Sequence, residues 1–336
     1  MKIVHIILTH SFAGSERHAV ELANLQAEQH DVTMILHQRG CEQRPDAIAH
    51  RLSAKVKVDI VRGWTPWAIW QCRQRLRQLA PDVAHAHLSA ACRALHGVAG
   101  LCLRVATLHI HYKKQQHRAL DALIAIAPWQ LDAIPEPLRS NSRQIDNWSL
   151  PTPADPDART RLRQQYNIAE DAIVFGALGR VEHSKGHDVL IEAFQQAKIP
   201  NSRLVIVGQG KSWQQIRQQT PADIIMPGFS DEPQNWLRCF DLFVSTARTE
   251  PFGLVFLEAM HAGLPILATA SEGASYLQPC IARPLTPIDD PQALAQAMRE
   301  HATAPRQQYP MDRFLPAAKA DEVLAFYQQQ LAKSRI

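Results

Sequence analysis

The stretch TEPFGLVFLEAMHAGLPILAT (249–269) sets the architecture of the second half of the chain. It follows the apolar run LFVST (242–246) and ends in another apolar run, LPILAT (264–269), with a helical pattern between them. Short apolar strands joined through helices are typical of a parallel sheet covered on both faces. We therefore predict an α/β fold for this region.

The same alternation of strand and helix runs through both halves of the sequence. The predicted strands are 3–10, 32–37, 56–61, 83–87, 104–110 and 123–127 in the first half, and 172–180, 204–208, 223–228, 242–246 and 264–269 in the second. The proline-rich segment SLPTPADPDART (149–160) interrupts the pattern and is interpreted as a linker. Two doubly wound domains are expected, with a ligand in the cleft at the carboxyl ends of their strands.

The composition excludes several classes of protein. The 336 residues suit about two domains, and no stretch approaches the ~18 uninterrupted apolar residues of a membrane span. The opening MKIVHIILTH is interpreted as a first strand, not a signal peptide. Six cysteines without a CxxC pair favour reduced thiols in a cytosolic protein and argue against a zinc site.

Positive charge is concentrated in the first part of the chain. Residues 1–150 contain 18 Lys and Arg against 12 Asp and Glu, and they also hold twelve of the sixteen histidines. This excess favours an anionic partner such as phosphate, an acidic glycan or a membrane surface, although ordinary surface variation would also account for it.

Two glutamates flank the apolar run of the opening stretch. Gly253 and Leu254 are expected at a helix N-terminus, where free N–H groups and the helix dipole favour a phosphate. Glu258 would follow about one turn later and could accept hydrogen bonds from a ribose diol, while Glu250 in the loop could hold hydroxyls of a second ring. The alternative is a capping carboxylate and a solvated helix glutamate.

The glutamate stretch resembles glycosyltransferase family 4, and the resemblance covers nearly the whole chain. It extends to AGSERHAVELANL (13–25), DVAHAHLSAA (82–91), GALGRVEHSKGHDVLIEAF (176–194), LVIVGQG (204–210) and DPQALAQAM (290–298). The resemblance implies a GT-B fold, in which two Rossmann-like domains face each other across a cleft. We place an acceptor-binding domain at 1–150, a nucleotide-sugar-binding domain at 151–312, and a final helix, within 313–336, that packs back on the first domain.

The resemblance also assigns roles to residues. Glu258 would bind the donor ribose and Glu250 the donor sugar, while Arg180 and Lys185 would clamp the diphosphate; two surface cations beside a loop are the alternative. We predict that Glu250, His109, Arg180 and Lys185 are catalytic. The donor-binding set adds Gly14, Gly228, Phe229, Phe252, Gly253, Leu254 and Glu258.

His109 is expected at the end of a strand, where a neutral imidazole could hydrogen-bond the donor sugar or the leaving phosphate. Strand alternation would place His109 and His111 on one face of the sheet, and likewise His85 and His87. These pairs raise the possibility of a metal site, but no accompanying carboxylates are evident. We expect neither a metal nor a cofactor.

The sequence departs from the family pattern at three places. Ala13-Gly14 stands where two adjacent glycines are usual, Thr246-Ala247 stands where a Pro-Ser pair is common, and Glu272-Gly273-Ala274 replaces a glycine pair. These departures concern the donor contacts and leave the fold unaffected.

The segment WTPWAIWQCRQRLRQLA (64–80) combines three tryptophans with three arginines, which is typical of a helix in a membrane interface. With the basic loop KKQQHR (113–118) it predicts contact with the inner leaflet; a core-packing helix with a basic solvated face is the alternative.

We predict a cytoplasmic, retaining glycosyltransferase, peripheral on the inner membrane, that acts on a lipopolysaccharide-type glycan or lipid-linked saccharide and binds no nucleic acid. A nucleotide-sugar epimerase or hydrolase and a non-catalytic binding module are the alternatives.

Overall fold

The computed structural model of the protein describes residues 1–221 and 223–334. The chain forms two compact units. Unit 1 contains Met1–Trp148 and the residues from Phe314 onward, and unit 2 contains Ser149–Arg313.

In the described residues, unit 1 is built on a parallel sheet of seven strands in the order β3-β2-β1-β4-β5-β6-β7. The strands are β1 (Lys2–Ile7), β2 (Asp31–His37), β3 (Lys57–Val61), β4 (Val83–His87), β5 (Leu103–Leu108), β6 (Ala122–Ala125) and β7 (Arg143–Gln144). The chain moves outward from β1 to β3 and then returns to β4 on the other side of β1. The sheet therefore has its topological switch point between β1 and β4.

Helices cover both faces of this sheet. They are α1 (Gly14–Gln26), α2 (Thr65–Leu79), α3 (Leu88–Leu95), α4 (Lys114–His117), α5 (Pro128–Asp132) and, at the end of the chain, α13 (Pro316–Ser334). Alternation along β1 sends Ile3 and Ile7 into a core with α1 and α13, and Val4 and Ile6 into a core with α2 and α3. Tyr327 of α13 is fully buried in the first of these cores.

Across its described residues, unit 2 holds a parallel sheet of five strands in the order β10-β9-β8-β11-β12. The strands are β8 (Ile173–Leu178), β9 (Ser202–Val207), β10 (Ile224–Gly228), β11 (Leu242–Ser245) and β12 (Ile266–Ala268). The helices are α6 (Ala158–Gln165), α7 (His187–Ala197), α8 (Trp213–Gln219), α9 (Pro233–Cys239), α10 (Leu254–His261), α11 (Glu272–Ile281) and α12 (Pro291–His301). The strand order reverses between β8 and β11.

An ion pair with a buried guanidinium ties α6 to the sheet of unit 2. Arg163 is 1% exposed, and its guanidinium lies 2.8 Å from Asp241 Oδ2. It also donates to the carbonyl oxygens of Ala169 and Ala172, while Asp241 accepts the backbone N–H of Val174 at the start of β8. A buried guanidinium is tolerated here because its charge is paired and hydrogen-bonded.

The order of predicted strands is confirmed, but several strands end earlier than predicted. β1 ends at Ile7 instead of His10, and β5 ends at Leu108 instead of Ile110. His109 therefore lies just beyond the strand. The short β7 and the helix α11 were not predicted, because two residues give no periodicity and α11 contains Pro279.

Candidate active site

The carboxyl ends of β8 and β11 border a pocket in unit 2. Its lining includes Gly179, Lys185, Thr246, Glu250 and Val255. Since β8 and β11 are the neighbours between which the strand order reverses, the pocket lies at the switch point of the sheet. Open α/β sheets bind ligands at such points.

Lys185 and Glu250 meet in this pocket. Lys185 Nζ lies 2.6 Å from Glu250 Oε2, and the two side chains are 20% and 14% exposed. An ammonium and a carboxylate held this closely offset part of the cost of removing each from water. The pair thus joins two residues to which the sequence assigned different tasks, the diphosphate and the donor sugar.

A glycine-dependent turn positions Lys185. Gly186 has φ +63°, and a Cβ there would lie 2.1 Å from the carbonyl oxygen of Thr246. The Thr246 hydroxyl donates to the Lys185 carbonyl at 3.0 Å, and the N–H of Arg248 donates to the Ser184 carbonyl at 2.9 Å. The loop after β8 is therefore fixed against the loop after β11.

Gly253 starts the helix that borders the pocket. It is the N-cap of α10 with φ +88°, and a Cβ there would lie 2.3 Å from Cδ2 of Phe256 and 3.2 Å from Cγ of Glu250. Only glycine meets both the conformation and the space. The turn delivers Leu254 to the first position of α10, where backbone N–H groups and the helix dipole favour an anion.

The glycines of GQG (208–210) pack against the loop after β8, which borders the pocket. A Cβ at Gly208 would lie 1.9 Å from the Gly179 carbonyl oxygen, and one at Gly210 would lie 2.5 Å from that of Val181. The loop after β9 can therefore lie directly on the Gly179–Val181 segment, which carries Arg180. Close backbone packing accounts for these glycines.

Arg180 and Glu258 are the two remaining charged residues of the predicted donor site. They differ in how exposed their side chains are. Arg180 is largely exposed, with its Nη1 3.3 Å from Glu182 Oε1, and it is absent from the described lining of the pocket. Glu258 lies on α10, four residues after Leu254, and is partly buried.

The remaining predicted donor residues are also located. Gly228 ends β10 with φ +88°, and Phe229 follows it with 62% of its surface exposed. Phe252 is 1% exposed, so neither its side chain nor its backbone faces solvent. Gly14, in unit 1, is the exposed first residue of α1.

Sequence reasoning missed the support that α11 gives to Glu250. The backbone N–H of Glu250 lies 3.2 Å from Glu272 Oε2, and its carbonyl accepts the N–H of Gly273 at 2.7 Å. A Cβ at Gly273 would lie 2.4 Å from the Phe252 carbonyl oxygen. The segment 272–274 offered a signal for this contact. It departs from the glycine pair of the family but keeps Gly273, the glycine that the packing requires.

Unit 1 contains a cluster of histidines at its own switch point. His87 ends β4 and His109 follows β5; His87 Nδ1 lies 3.1 Å from His109 Nε2. His87 Nε2 lies 3.1 Å from His5 Nδ1, and His85 bonds the hydroxyls of Thr107 and Tyr327. The rings of His85 and His87 are 4.3 Å apart, which confirms that they share a face of the sheet.

Burial keeps these histidines neutral. Desolvation lowers the pKa of His5 and of His109 to about 4 and holds the pKa values of His85 and His87 well below the ordinary range. Neighbouring imidazoles lower the pKa values of His85 and His87 further.

The predicted pairing of His109 with His111 on one face is wrong. Because β5 ends at Leu108, strand alternation does not extend to these two residues. His109 joins the histidine cluster, whereas His111 is exposed and packs edge-on against Trp129 with ring centroids 5.3 Å apart.

Two family models match the chain. Glycosyltransferase Family 4 matches residues 12–143, and Glycosyl transferases group 1 matches residues 172–303. These two matches, one in each half of the chain, identify a glycosyltransferase similar to family 4.

The glycosyltransferase has relatives in envelope biosynthesis. It is 27% identical over 301 residues to the lipopolysaccharide core biosynthesis glycosyltransferase LpsD of Rhizobium meliloti (strain 1021), with 82% of this chain and 80% of the relative covered. It is 34% identical over 131 residues to the lipopolysaccharide 1,2-N-acetylglucosaminetransferase of Salmonella typhimurium, a match that covers 34% of each chain.

Solved structures establish the fold of the glycosyltransferase. HepE of Anabaena in complex with UDP-glucose superposes with a TM-score of 0.75 at 21% identity over 99% of both chains. WaaG, involved in lipopolysaccharide biosynthesis, superposes with a TM-score of 0.69 at 18% identity over 99% of this chain and 98% of its own. Together with the two parallel sheets, these likenesses show a GT-B fold.

Three histidines of the glycosyltransferase lie close enough for their ring nitrogens to approach one metal ion. One nitrogen each from His5, His85 and His87 falls within a span of 4.8 Å. All six ring nitrogens of these residues already have hydrogen-bond partners, and a divalent ion here would be fully buried with neutral imidazoles around it. The expectation that no metal is needed stays a prediction.

Helix α2 of the glycosyltransferase has a mixed surface. Trp64, Trp67 and Trp70 are 72%, 49% and 46% exposed, and the rings of Trp67 and Trp70 stack 4.6 Å apart. Arg73 and Arg77 instead point toward the neighbouring helix α3 and donate to carbonyl oxygens in and just after it. None of the helices over residues 1–221 and 223–334 combines the length and apolarity needed to cross a bilayer.

Proposed function

We propose that the protein is a retaining glycosyltransferase that moves a sugar from a nucleotide-diphosphate sugar to a cell-envelope glycan or lipid-linked saccharide. The Lys185–Glu250 pair beside the N-terminus of α10 carries the proposal, because it places a cation, a carboxylate and a helix dipole at one switch point. The family matches support the reaction, and the lipopolysaccharide relatives support the class of acceptor.

Donor binding would separate the ion pair. The diphosphate would replace Glu250 as the partner of Lys185 and would accept hydrogen bonds from the first turn of α10. Glu250 would then be available to accept hydrogen bonds from hydroxyls of the donor sugar, and Glu258 from the ribose.

The bond between the anomeric carbon and the leaving phosphate oxygen would break, and its electron pair would stay on the nucleoside diphosphate. Lys185 and Arg180 would stabilise the negative charge that grows there. The acceptor oxygen would bond to the anomeric carbon on the face that the leaving group vacates, and the acceptor proton would pass to the diphosphate. This course retains the anomeric configuration and needs no carboxylate nucleophile or metal.

The acceptor would be reached at a membrane surface. The exposed tryptophans of α2 and the exposed cations Lys113, Lys114 and Arg118 would contact anionic lipid, as in a peripheral protein on the cytoplasmic face of the inner membrane. A lipopolysaccharide core or another lipid-linked saccharide would then be presented to unit 1.

Thermal shifts with UDP, GDP, ADP, CMP and TDP test donor binding. One nucleotide should stabilise the wild type, and Glu258→Ala should abolish the effect. Glu300→Ala, at an exposed position of α12, is the matched control and should bind as the wild type does. If no nucleotide stabilises the protein, the proposal loses its main support.

Product analysis tests the reaction itself. The sugar transferred from the identified donor should have the same anomeric configuration in the product, as read from proton couplings. Turnover at the same rate without any acceptor would instead indicate a hydrolase or an epimerase.

A further inference from the structure

Three histidines of unit 1 and one glutamine form a single hydrogen-bonded line, which we call the imidazole chain. Gln26 Oε1 lies 2.8 Å from His5 Nε2, His5 Nδ1 lies 3.1 Å from His87 Nε2, and His87 Nδ1 lies 3.1 Å from His109 Nε2. Gln26, His5 and His87 are at most 1% exposed, whereas His109 is partly exposed. The imidazole chain therefore leads from the core to His109, a side chain that a ligand can reach.

The hydrogen bonds of the imidazole chain all donate in one direction. A neutral imidazole has one N–H donor and one acceptor nitrogen, so a bond between two rings fixes the tautomer of both. An amide oxygen only accepts, which requires the proton of His5 on Nε2. His5 Nδ1 must then accept from His87 Nε2–H, and His87 Nδ1 must accept from His109 Nε2–H.

The opposite direction requires the less stable tautomer of every ring, although the stated direction leaves the buried Gln26 Nε2 without a hydrogen-bond partner. If the Gln26 amide were turned, its nitrogen would donate to His5 and every proton in the chain would reverse. All three rings would then need the Nδ1–H tautomer, which is intrinsically the less stable form of neutral histidine. The direction set by Gln26 Oε1 leaves each ring in its preferred tautomer, and chained bonds of one direction strengthen one another.

We propose that Gln26, acting through His5 and His87, holds His109 as the Nε2–H tautomer, so that His109 presents Nδ1 as an acceptor to a hydroxyl of the donor sugar. This inference rests on the proposed function, to which it adds a contact between His109 and the donor sugar. It decides between the two partners that the sequence left open, because an unprotonated Nδ1 accepts from a hydroxyl and cannot donate to a phosphate. Gln26, His5 and His87 are positioning residues.

The ring of His109 is also held from the side. His18 of α1 is 5% exposed and meets His109 edge-on with ring centroids 5.2 Å apart, while its other side lies 4.2 Å from the ring of Trp148. The orientation of His109 is therefore set by packing, and its tautomer is set by the chain.

Long-range proton–nitrogen correlation spectra of the full-length protein with labelled histidine test the chain directly. At pH 7, His5, His87 and His109, assigned by single His→Gln variants, should each give the neutral Nε2–H pattern. The Nδ1–H pattern at His109, a charged ring, or a metal that copurifies in stoichiometric amount would each overturn the proposal.

Two variants of Gln26 separate direction from packing. Gln26→Glu keeps an acceptor and should leave His109 in the Nε2–H tautomer, whereas Gln26→Leu removes it and should give a mixture of tautomers at His109. Equal spectra of His109 in both variants would show that Gln26 does not set the direction. Melting temperatures would verify that both variants are folded, and activity has no part in this readout.

Ligand titration tests the contact with the sugar separately. The nucleotide sugar of the nucleotide that the thermal shifts identify (UDP-glucose if it is UDP) should shift the Nδ1 resonance of His109, and the nucleotide alone should not. A shift with the nucleotide alone would assign His109 to the phosphate, and no shift with a saturating nucleotide sugar would remove it from the donor site. Neither result depends on the tautomers, so failure of the proposed function and failure of the chain are distinguishable.

Discussion

Lys185 and Glu250 form a 2.6 Å ion pair although they are 65 positions apart in the sequence. The pair joins the loop after β8 to the loop after β11, the two strands between which the sheet of unit 2 reverses its order. In the proposed function, a diphosphate that binds here would compete with Glu250 for Lys185, so donor binding would be coupled to release of the carboxylate.

Replacement of Lys185 should lower the rate of turnover. Lys185→Met removes the cation proposed to stabilise the leaving diphosphate, a contribution typically worth about 10²–10³ in rate. Initial rates at saturating donor measure the loss. Lys211→Met is the matched control and should keep wild-type rates, since Lys211 is exposed and is absent from the described lining of the pocket. Equal losses in both variants would contradict this assignment.

Gly253→Ala should disturb both stability and activity. The new Cβ would meet the Phe256 ring at 2.3 Å in a backbone with φ +88°. Strain of this kind costs about 1–3 kcal/mol, and the clash adds to it. Gly100→Ala provides the control, because Gly100 has φ +74° but nothing within 4 Å of the new Cβ. Urea unfolding should show the smaller loss for Gly100→Ala; the reverse order would indicate that the Gly253 turn adapts.

The sequence predicted the sheets well because buried parallel strands are short apolar runs separated by helices. It placed Glu250, Gly253 and Lys185 near one another because strand order and the family resemblance both locate them at carboxyl ends. It gave no sign that Lys185 and Glu250 would be paired directly, since an ion pair across two loops depends on backbone geometry around Gly186.

The histidine cluster shows a different limit. Alternation along β4 predicted the shared face of His85 and His87, but the link from His87 to His5 depends on the register of β4 against β1, which pairs His5 with His85. Alternation failed for His109 and His111 because β5 ends at Leu108, where its hydrogen bonds to the neighbouring strands end. The sequence gives little indication of that boundary. The polar partner Gln26 lies on a helix whose rotation is set by tertiary packing.

Asp241→Asn should destabilise unit 2. The change removes the charge that pairs with the guanidinium of Arg163, which is 1% exposed. Loss of one partner of a fully buried pair costs about 3–5 kcal/mol, and the loss here should be smaller because the Asp241 side chain is 28% exposed and also pairs with Arg159. The control Asp132→Asn alters an exposed pair with Arg139 and should cost less than about 1 kcal/mol. Chemical unfolding measures both, and similar small losses would mean that water reaches Arg163.

The exposed tryptophans of α2 should govern binding to vesicles. Substitution of Trp64, Trp67 and Trp70 by serine should reduce cosedimentation with anionic vesicles several-fold, because aromatic side chains supply much of the affinity for the interface. The melting temperature should change little, since these side chains are outside the core. Ile288→Ser, an exposed apolar residue of unit 2, should leave vesicle binding unchanged. If the triple variant bound vesicles as well as the wild type, the tryptophans of α2 would not contribute to membrane binding.

The histidine cluster should make the protein less stable as the pH falls below neutrality. Burial lowers the pKa of His5 from 6.5 to about 4, so between these values the unfolded chain binds a proton that the folded chain does not. Stability therefore falls as pH decreases through this window, by about 3 kcal/mol in total for His5. Urea unfolding at pH 7, 6 and 5 should show the decline, and His5→Phe should reduce its slope because one titrating group is removed. A free energy of unfolding that stays constant from pH 7 to pH 5 would show that these rings take up protons in the folded state as readily as in the unfolded chain.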